Sequence, residues 1–257
     1  MVTLAPVSAV KRSHFYIWIA AACCLIAFGG FMPTYWMQLP ADTFNGPPIF
    51  HFHAILFSAW IVFLLFQTVL AARGQMRHHR AWGLAGIALA SAMFFTGFGT
   101  AIYALHQGLS RGYGDLSRSF FIVPVSEIVL FASLFIAAIA NINRPELHKR
   151  LIVLATIALL PAAVMRVVFT LVVGHGLPGM RVGFVPPAPV AIVMIATLLL
   201  ETLVIAAIVF DWRTRGRPHW IWIMGLVLFP AVGLLTILLS KTPEWLGFAE
   251  YMAHFAG

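Results

Sequence analysis

Charge is what this sequence has least of. Asp, Glu, Lys and Arg make up 9% of its 257 residues and 61% of the chain is hydrophobic, where a soluble domain carries about 25% charged residues. That deficit excludes an ordinary water-soluble globule. Acidic residues are the scarcer sign, 8 against 16 Lys plus Arg, for a formal net charge of +8. Such a balance raises the question of nucleic acid. Here the basic residues fall in short segments between apolar runs, where they set membrane topology, so no nucleic-acid partner is expected. Cysteine is nearly absent. Cys23 and Cys24 are adjacent in one apolar run, and neighbours on a helix are poorly placed to bridge each other; they read as small packing residues. The chain has no Gly-rich phosphate loop, no C-x-x-C, no H-E-x-x-H and no nucleophile elbow. Whether it is an enzyme stays open.

What the chain has in abundance is long apolar runs. Seven are long enough to cross a bilayer, at 15–37, 49–72, 81–105, 119–140, 151–174, 189–210 and 219–240. They are too long and too continuously apolar for barrel strands, so helix is the expected spanning state. The expectation is an all-α, polytopic integral membrane protein: one seven-helix transmembrane domain over 1–257, with the bilayer as its main partner. Basic residues alternate between the connections. Eleven Lys and Arg (11, 12, 73, 77, 80, 144, 149, 150, 213, 215 and 217) fall on one side, against Arg111, Arg118, Arg181 and Lys241 on the other. The positive-inside rule then places the N-terminus in the cytoplasm and the C-terminus outside, in a bacterial cytoplasmic (inner) membrane. The first run is too long for a signal-peptide core and reads as a retained span. Trp36, Trp82, Trp212, Trp220 and Trp245 fall near the expected interfaces. Residues 245–255 read as a short amphipathic helix on the outer surface. Pro161 and Pro230 lie inside runs, where each removes a backbone hydrogen bond and can kink its helix.

Three ionisable residues interrupt these runs: Glu127, Arg166 and Glu201. A charge in hydrocarbon is costly and normally faces a partner, a cavity or a cofactor. Glu127 is eight residues into the fourth run and Arg166 eight residues from the end of the fifth, so both lie about 12 Å from the same membrane face at 1.5 Å per residue. They are expected partners, as a structural ion pair or as the border of a substrate, proton or cofactor site. Glu201 lies near mid-membrane without a charged neighbour in sequence. With the other two it forms a candidate proton or ion pathway.

Most of the ten histidines lie near run ends, in two layers. The outer layer holds His51, His53, His106 and His175, and the inner one His78, His79, His148 and His219. Two layers of imidazole on several helices fit a two-haem membrane cytochrome, in which each iron takes one His from each of two helices. Candidate haem b ligands are His53 with His106 or His175, and His79 with His148, with Arg166 and Glu127 beside a propionate or a substrate anion. A non-haem transition metal held by His51, His53, His106 and His175 is the rival. On a regular helix His51 and His53 project about 200° apart and cannot share a metal; an unwound start after Pro47-Pro48 would relax that limit. Interfacial histidines with no cofactor at all are the third reading.

Two segments carry a family resemblance. One runs from His53 through Gln67 to His79-Arg80-Ala81-Trp82-Gly83, and the other is Leu147-His148-Lys149-Arg150 leading to Arg166. They resemble the DUF2306-type family of predicted bacterial membrane proteins of unknown function, with matches at His53, Gln67, His79, Arg80, Gly83, His148 and Arg166 over residues 50–170. The resemblance implies that His53, His79, His148 and Arg166 belong to one recurrent constellation; it implies no activity. The general plan is also similar to diheme b-type membrane cytochromes such as the b561 group. Together these features favour a histidine-rich redox protein passing electrons within the membrane, with quinone or another redox carrier as partner. The alternatives are a cofactor-free transporter or sensor built on Glu127, Arg166 and Glu201, a non-haem metal enzyme acting on a lipid-soluble substrate, and a subunit of a larger membrane complex.

Overall fold

The computed structural model describes residues 14–174 and 185–256. Ten α-helices run through them: α1 Phe15–Phe31, α2 Pro48–Ala72, α3 Met76–Ser110, α4 Asp115–Phe120, α5 Ile122–Ala140, α6 Pro145–Ile157, α7 Pro161–Val173, α8 Val190–Arg215, α9 Trp220–Leu239 and α10 Pro243–Ala253. The first nine of them make up seven stretches long and apolar enough to cross a membrane. The chain is a multi-pass helical membrane protein.

Proline punctuation explains the breaks. Pro33 has no N–H to continue α1, and the last turn widens over Met32–Trp36, where the Met37 N–H reaches the Met32 carbonyl at 2.9 Å. Pro161 does more than kink the fifth span: it ends α6 and opens α7, with three non-helical residues between them. Pro230 is tolerated inside α9, which runs on past it. Pro48 occupies the first turn of α2, where a missing N–H costs nothing. At 35 residues α3 is about 52 Å long, well beyond a hydrocarbon core of about 30 Å. Its first turns, with Arg77, His78 and Arg80, therefore stand out as exposed helix.

The fifth span is the centre of the bundle. In its most apolar 18-residue window 61% of residues are buried, against 22–33% for the other six. Around it lies the main core, which includes Cys23 of α1, Trp60 of α2, Met93 of α3, Phe131 of α5, Leu154 of α6, Val204 of α8 and Trp222 of α9. Trp60 ties α2 to this centre by donating its indole N–H to the Thr156 hydroxyl at 3.1 Å, with Phe131 and Phe135 edge-on to its ring. Gly30 of α1 lies directly against the Ala163 backbone of α7, a close helix approach that only a small residue permits. Large apolar side chains such as Trp18, Leu25, Phe95, Leu171 and Val227 point outward. In water they would be a liability; against acyl chains they are the solvated surface.

The arginine-rich end is closed by ion pairs. Arg150 and Asp211 are fully buried and paired through two guanidinium nitrogens, with contacts of 2.7, 2.8 and 3.2 Å. Glu146 receives Arg150, Lys149 and Arg215 at 2.6 Å each, and Asp211 also accepts the His219 N–H at 3.2 Å. The cluster joins α6, α8 and the start of α9. At the other end α10 packs through Ala249 and Ala253 beside Ala101, Leu105 and Phe121. Trp245 donates to the Arg118 carbonyl at 2.9 Å, and Arg118 pairs with Glu250 at 2.6 Å. A short helix is thus present over most of the expected stretch, docked on α3 and α4.

Candidate functional site

A cavity of about 320 Å³ opens in the half of the bundle away from the arginine-rich end, within the usual range for small-molecule sites. Residues of α1, α2, α3, α5, α7 and the start of α8 line it. Most of its wall is apolar or aromatic, including Phe28, Phe31, Trp36, Phe57 and Met165. Its polar points are few: Thr34, Tyr35, His53, Ser58, Thr100, Glu127 and Arg166.

His53 reaches the cavity from the second turn of α2 and stacks on Phe57, ring centroids 4.0 Å apart. Its Nδ1 lies 3.2 Å from the Thr100 hydroxyl. That hydroxyl has one proton and two backbone acceptors, the Thr96 and Gly97 carbonyls, both at 2.9 Å. It can therefore offer His53 only a lone pair, so the ring donates from Nδ1. Nε2 is left as an acceptor with no partner among the described residues. His51, two residues earlier, turns away to the Tyr35 hydroxyl at 2.9 Å and packs edge-on against Phe44.

Arg166 comes from α7, just past the break in the central span. Its guanidinium lies over the Phe31 ring at 4.6 Å. Its Nε is buried without an acceptor, and no carboxylate lies within 4.0 Å of it among the described residues. Glu127 faces the same cavity, yet the expected Glu127–Arg166 ion pair does not form. Equal depth brings both to one cavity wall, but equal depth does not bring two side chains within ion-pair distance. Glu127 has a second exposure. It also lines a pocket of about 50 Å³ between α5, α8 and α9, with Ser126, Thr197 and Thr236. Glu201 lies one turn beyond Thr197 on α8; it is buried and neither carboxyl oxygen has a partner.

The inner histidines form a separate group. The rings of His79 and His148 are 6.3 Å apart and nearly perpendicular, at 86°. His148 Nδ1 donates to the Ala138 carbonyl at 2.9 Å, which leaves its Nε2 as an acceptor. His79 has a buried Nδ1 without a partner, and Gln67 donates to its carbonyl at 3.3 Å. So the constellation of His53, His79, His148 and Arg166 divides in two: His53 and Arg166 share the cavity, and His79 and His148 meet elsewhere.

Among the described residues the outer histidines are not brought together. His106 on α3 is not part of the cavity wall, and the structure does not pair it with His53. Because α2 is regular from Pro48, with no unwound start, His51 and His53 diverge to different partners. Among the described residues no three His, Cys, Asp or Glu side chains are grouped to hold a metal ion; His175 lies outside those residues. Sequence reasoning missed Tyr35, Thr100 and the three hydroxyls of the smaller pocket. Small polar residues in apolar helices give no signal until the facing helix is known. No family model, curated protein or solved structure matches the chain, so the site is read from its own geometry.

Proposed function

We propose that the protein is a membrane carrier for a lipid-soluble molecule whose polar head bears a negative charge or a strongly polarised oxygen. Carboxylates and quinones are the two obvious classes. The observation that carries this reading is Arg166: a guanidinium with no ion-pair partner among the described residues, lining a mostly apolar cavity on a broken central helix. An unpaired charge at membrane depth is costly and marks a substrate or ion path. A planar fork of N–H groups is suited to a carboxylate or a carbonyl oxygen. Interrupted helices at the substrate site are a recurring feature of secondary carriers, in which unwound backbone lines the path. In this reading Arg166 holds the head, and Phe28, Phe31 and Phe57 enclose the apolar body. The charge asymmetry of the connections supports a bacterial inner membrane with the arginine-rich end in the cytoplasm.

Trp36 and Trp60 line the cavity, so occupancy is expected to quench tryptophan fluorescence. Detergent-purified protein titrated with a long-chain carboxylate and with a short-chain quinone should show saturable quenching by one of them. Mass spectrometry of the organic extract should recover a molecule of the same class. The reading fails if neither binds, or if Arg166→Met binds as tightly as the parent.

A second reading rests on His79 and His148, two imidazoles from different helices brought together, one oriented by a backbone carbonyl as metal-ligating histidines commonly are. A haem or metal there would supply electron transfer. A reduced-minus-oxidised visible spectrum and elemental analysis decide it: no haem band and no stoichiometric metal removes this reading.

A further inference from the structure

The small pocket between α5, α8 and α9 has a wall of unusual polarity for its depth. Three hydroxyls line it, from Ser126, Thr197 and Thr236. Each already gives its proton to its own helix: Ser126 to the Val123 carbonyl at 2.9 Å, Thr197 to Val193 at 3.3 Å, and Thr236 to Val232 at 2.7 Å. A hydroxyl with its proton committed presents only lone pairs. The fourth polar side chain is Glu127, an acceptor when ionised, with no ion pair or hydrogen bond among the described residues. Ala158 also lines the pocket, in the break between α6 and α7. Pro161 has no N–H, and no backbone amide among the described residues closes on the Ala158 carbonyl. The polar wall is therefore made of oxygen acceptors and contains no donor. A volume of about 50 Å³ holds a few water-sized guests.

We propose that this pocket binds a small monovalent cation, sodium or a hydrated proton, with Glu127 as counter-charge and the Ser126, Thr197 and Thr236 hydroxyl oxygens as neutral ligands. Hard cations take oxygen donors of this kind. Apolar residues fill the rest of the wall, among them Leu130, Val193, Met194 and Phe229, so no competing base lies beside the carboxylate. The charged or titratable groups that share the large cavity with Glu127 from other elements are Tyr35, His53 of α2 and Arg166 of α7. Glu201 of α8 lies one turn beyond Thr197, and α9 contributes none to the pocket. Glu127 borders both spaces, so a cation on one side and a ligand head on the other share one carboxylate. That arrangement couples the cavity ligand to a cation. The cation site stands on its own lining; only the coupling rests on the carrier reading.

The test is direct binding of radiolabelled sodium to purified full-length protein in detergent, with no cavity ligand added. Saturable binding is expected, displaced by unlabelled sodium but not by potassium or choline. Glu127→Gln should abolish it, and Thr197→Val and Thr236→Val should each weaken it about tenfold, with cooperative thermal unfolding retained. If a variant does not fold, the cation competition on the parent protein decides alone. A proton as guest gives a different signature: no sodium binding, but a protonated-carboxyl infrared band that bleaches as pH rises and is missing in Glu127→Gln. Absence of both overturns the proposal, as does sodium binding that survives Glu127→Gln. Sodium binding by a protein that binds neither the carboxylate nor the quinone would leave this site standing while the carrier reading failed.

Discussion

Replacing Arg166 with Met should make the ligand-free protein more stable and the ligand weaker, and the opposite signs are the test. Among the described residues the buried Nε of Arg166 meets no acceptor, and its guanidinium lies over the Phe31 face, at 4.6 Å. An unmet buried polar group costs about 1–3 kcal/mol, and more when charged. Methionine keeps the length and flexibility of the stem without the charge, so the gain on substitution is about 1–3 kcal/mol. For a chain of this size each kcal/mol moves a melting midpoint by roughly 2–4 °C. The bound head loses charge-assisted hydrogen bonds of about 1.5–3 kcal/mol, which is about 10- to 150-fold in affinity. Arg166→Lys should fall between, because it keeps the charge and loses the planar fork. The measurement pairs thermal unfolding of extract-verified, ligand-free protein with the fluorescence titration. A lower midpoint for ligand-free Arg166→Met would refute the reasoning, since it would mean that the guanidinium already has a structural partner.

Three further substitutions probe the frame around the site. Asp211→Ala strands the fully buried Arg150, with only the half-exposed Glu146 left to it, and should cost about 3 kcal/mol; the double change Arg150→Met with Asp211→Leu should recover most of that, and a double variant as unstable as Asp211→Ala alone would show that the pair is more than a buried charge and its partner. Gly30→Val places a branched side chain into the Ala163 backbone and should destabilise by about 1–3 kcal/mol through forced separation of α1 and α7, read by thermal unfolding against Gly29→Val, where a Cβ meets nothing. Thr156→Val keeps the shape but leaves the buried Trp60 indole N–H without its acceptor, so about 1–3 kcal/mol should be lost, and Trp60→Phe in that background should cost less than in the parent.

The spans were legible because hydropathy responds to solvent, and here the solvent is lipid. Their ends were less so. α3 begins at Met76 and ends at Ser110, beyond the expected 81–105, because backbone hydrogen bonds carry a helix past the apolar region into residues that hydropathy reads as loop. Pro161 and Pro230 look alike in sequence, yet one divides a helix and the other does not. The arithmetic that sends His51 and His53 to different sides held, since Pro48 sits at a helix start that tolerates it and α2 is regular from there. Depth was also readable: it brought Glu127 and Arg166 to one cavity. Which way each helix turns was not, and the pair expected from depth shares a cavity without closing into an ion pair. The Arg150–Asp211 bridge spans 61 residues of sequence, and nothing in either run announces that α6 and α8 are neighbours.

Arg150 and Arg166 stand on the two halves of one transmembrane span, and their surroundings argue for different jobs. Arg150 is saturated: Asp211 takes two of its nitrogens, and Glu146 takes the third at 2.6 Å. A guanidinium so enclosed has no donor left for a ligand, and its effect is to lock α6 to α8. Arg166 has a carboxylate in the same cavity and does not touch it. If its role were to hold helices together, a rotation of α5 or α7 that closed the gap to Glu127 would satisfy both groups. The fold instead keeps them apart, across a space the size of a small molecule, and places the break in the central helix beside it. A gap of that kind leaves the buried Arg166 Nε without an acceptor among the described residues, an unmet cost that the proposed polar head on one side of Glu127 and small cation on the other would relieve.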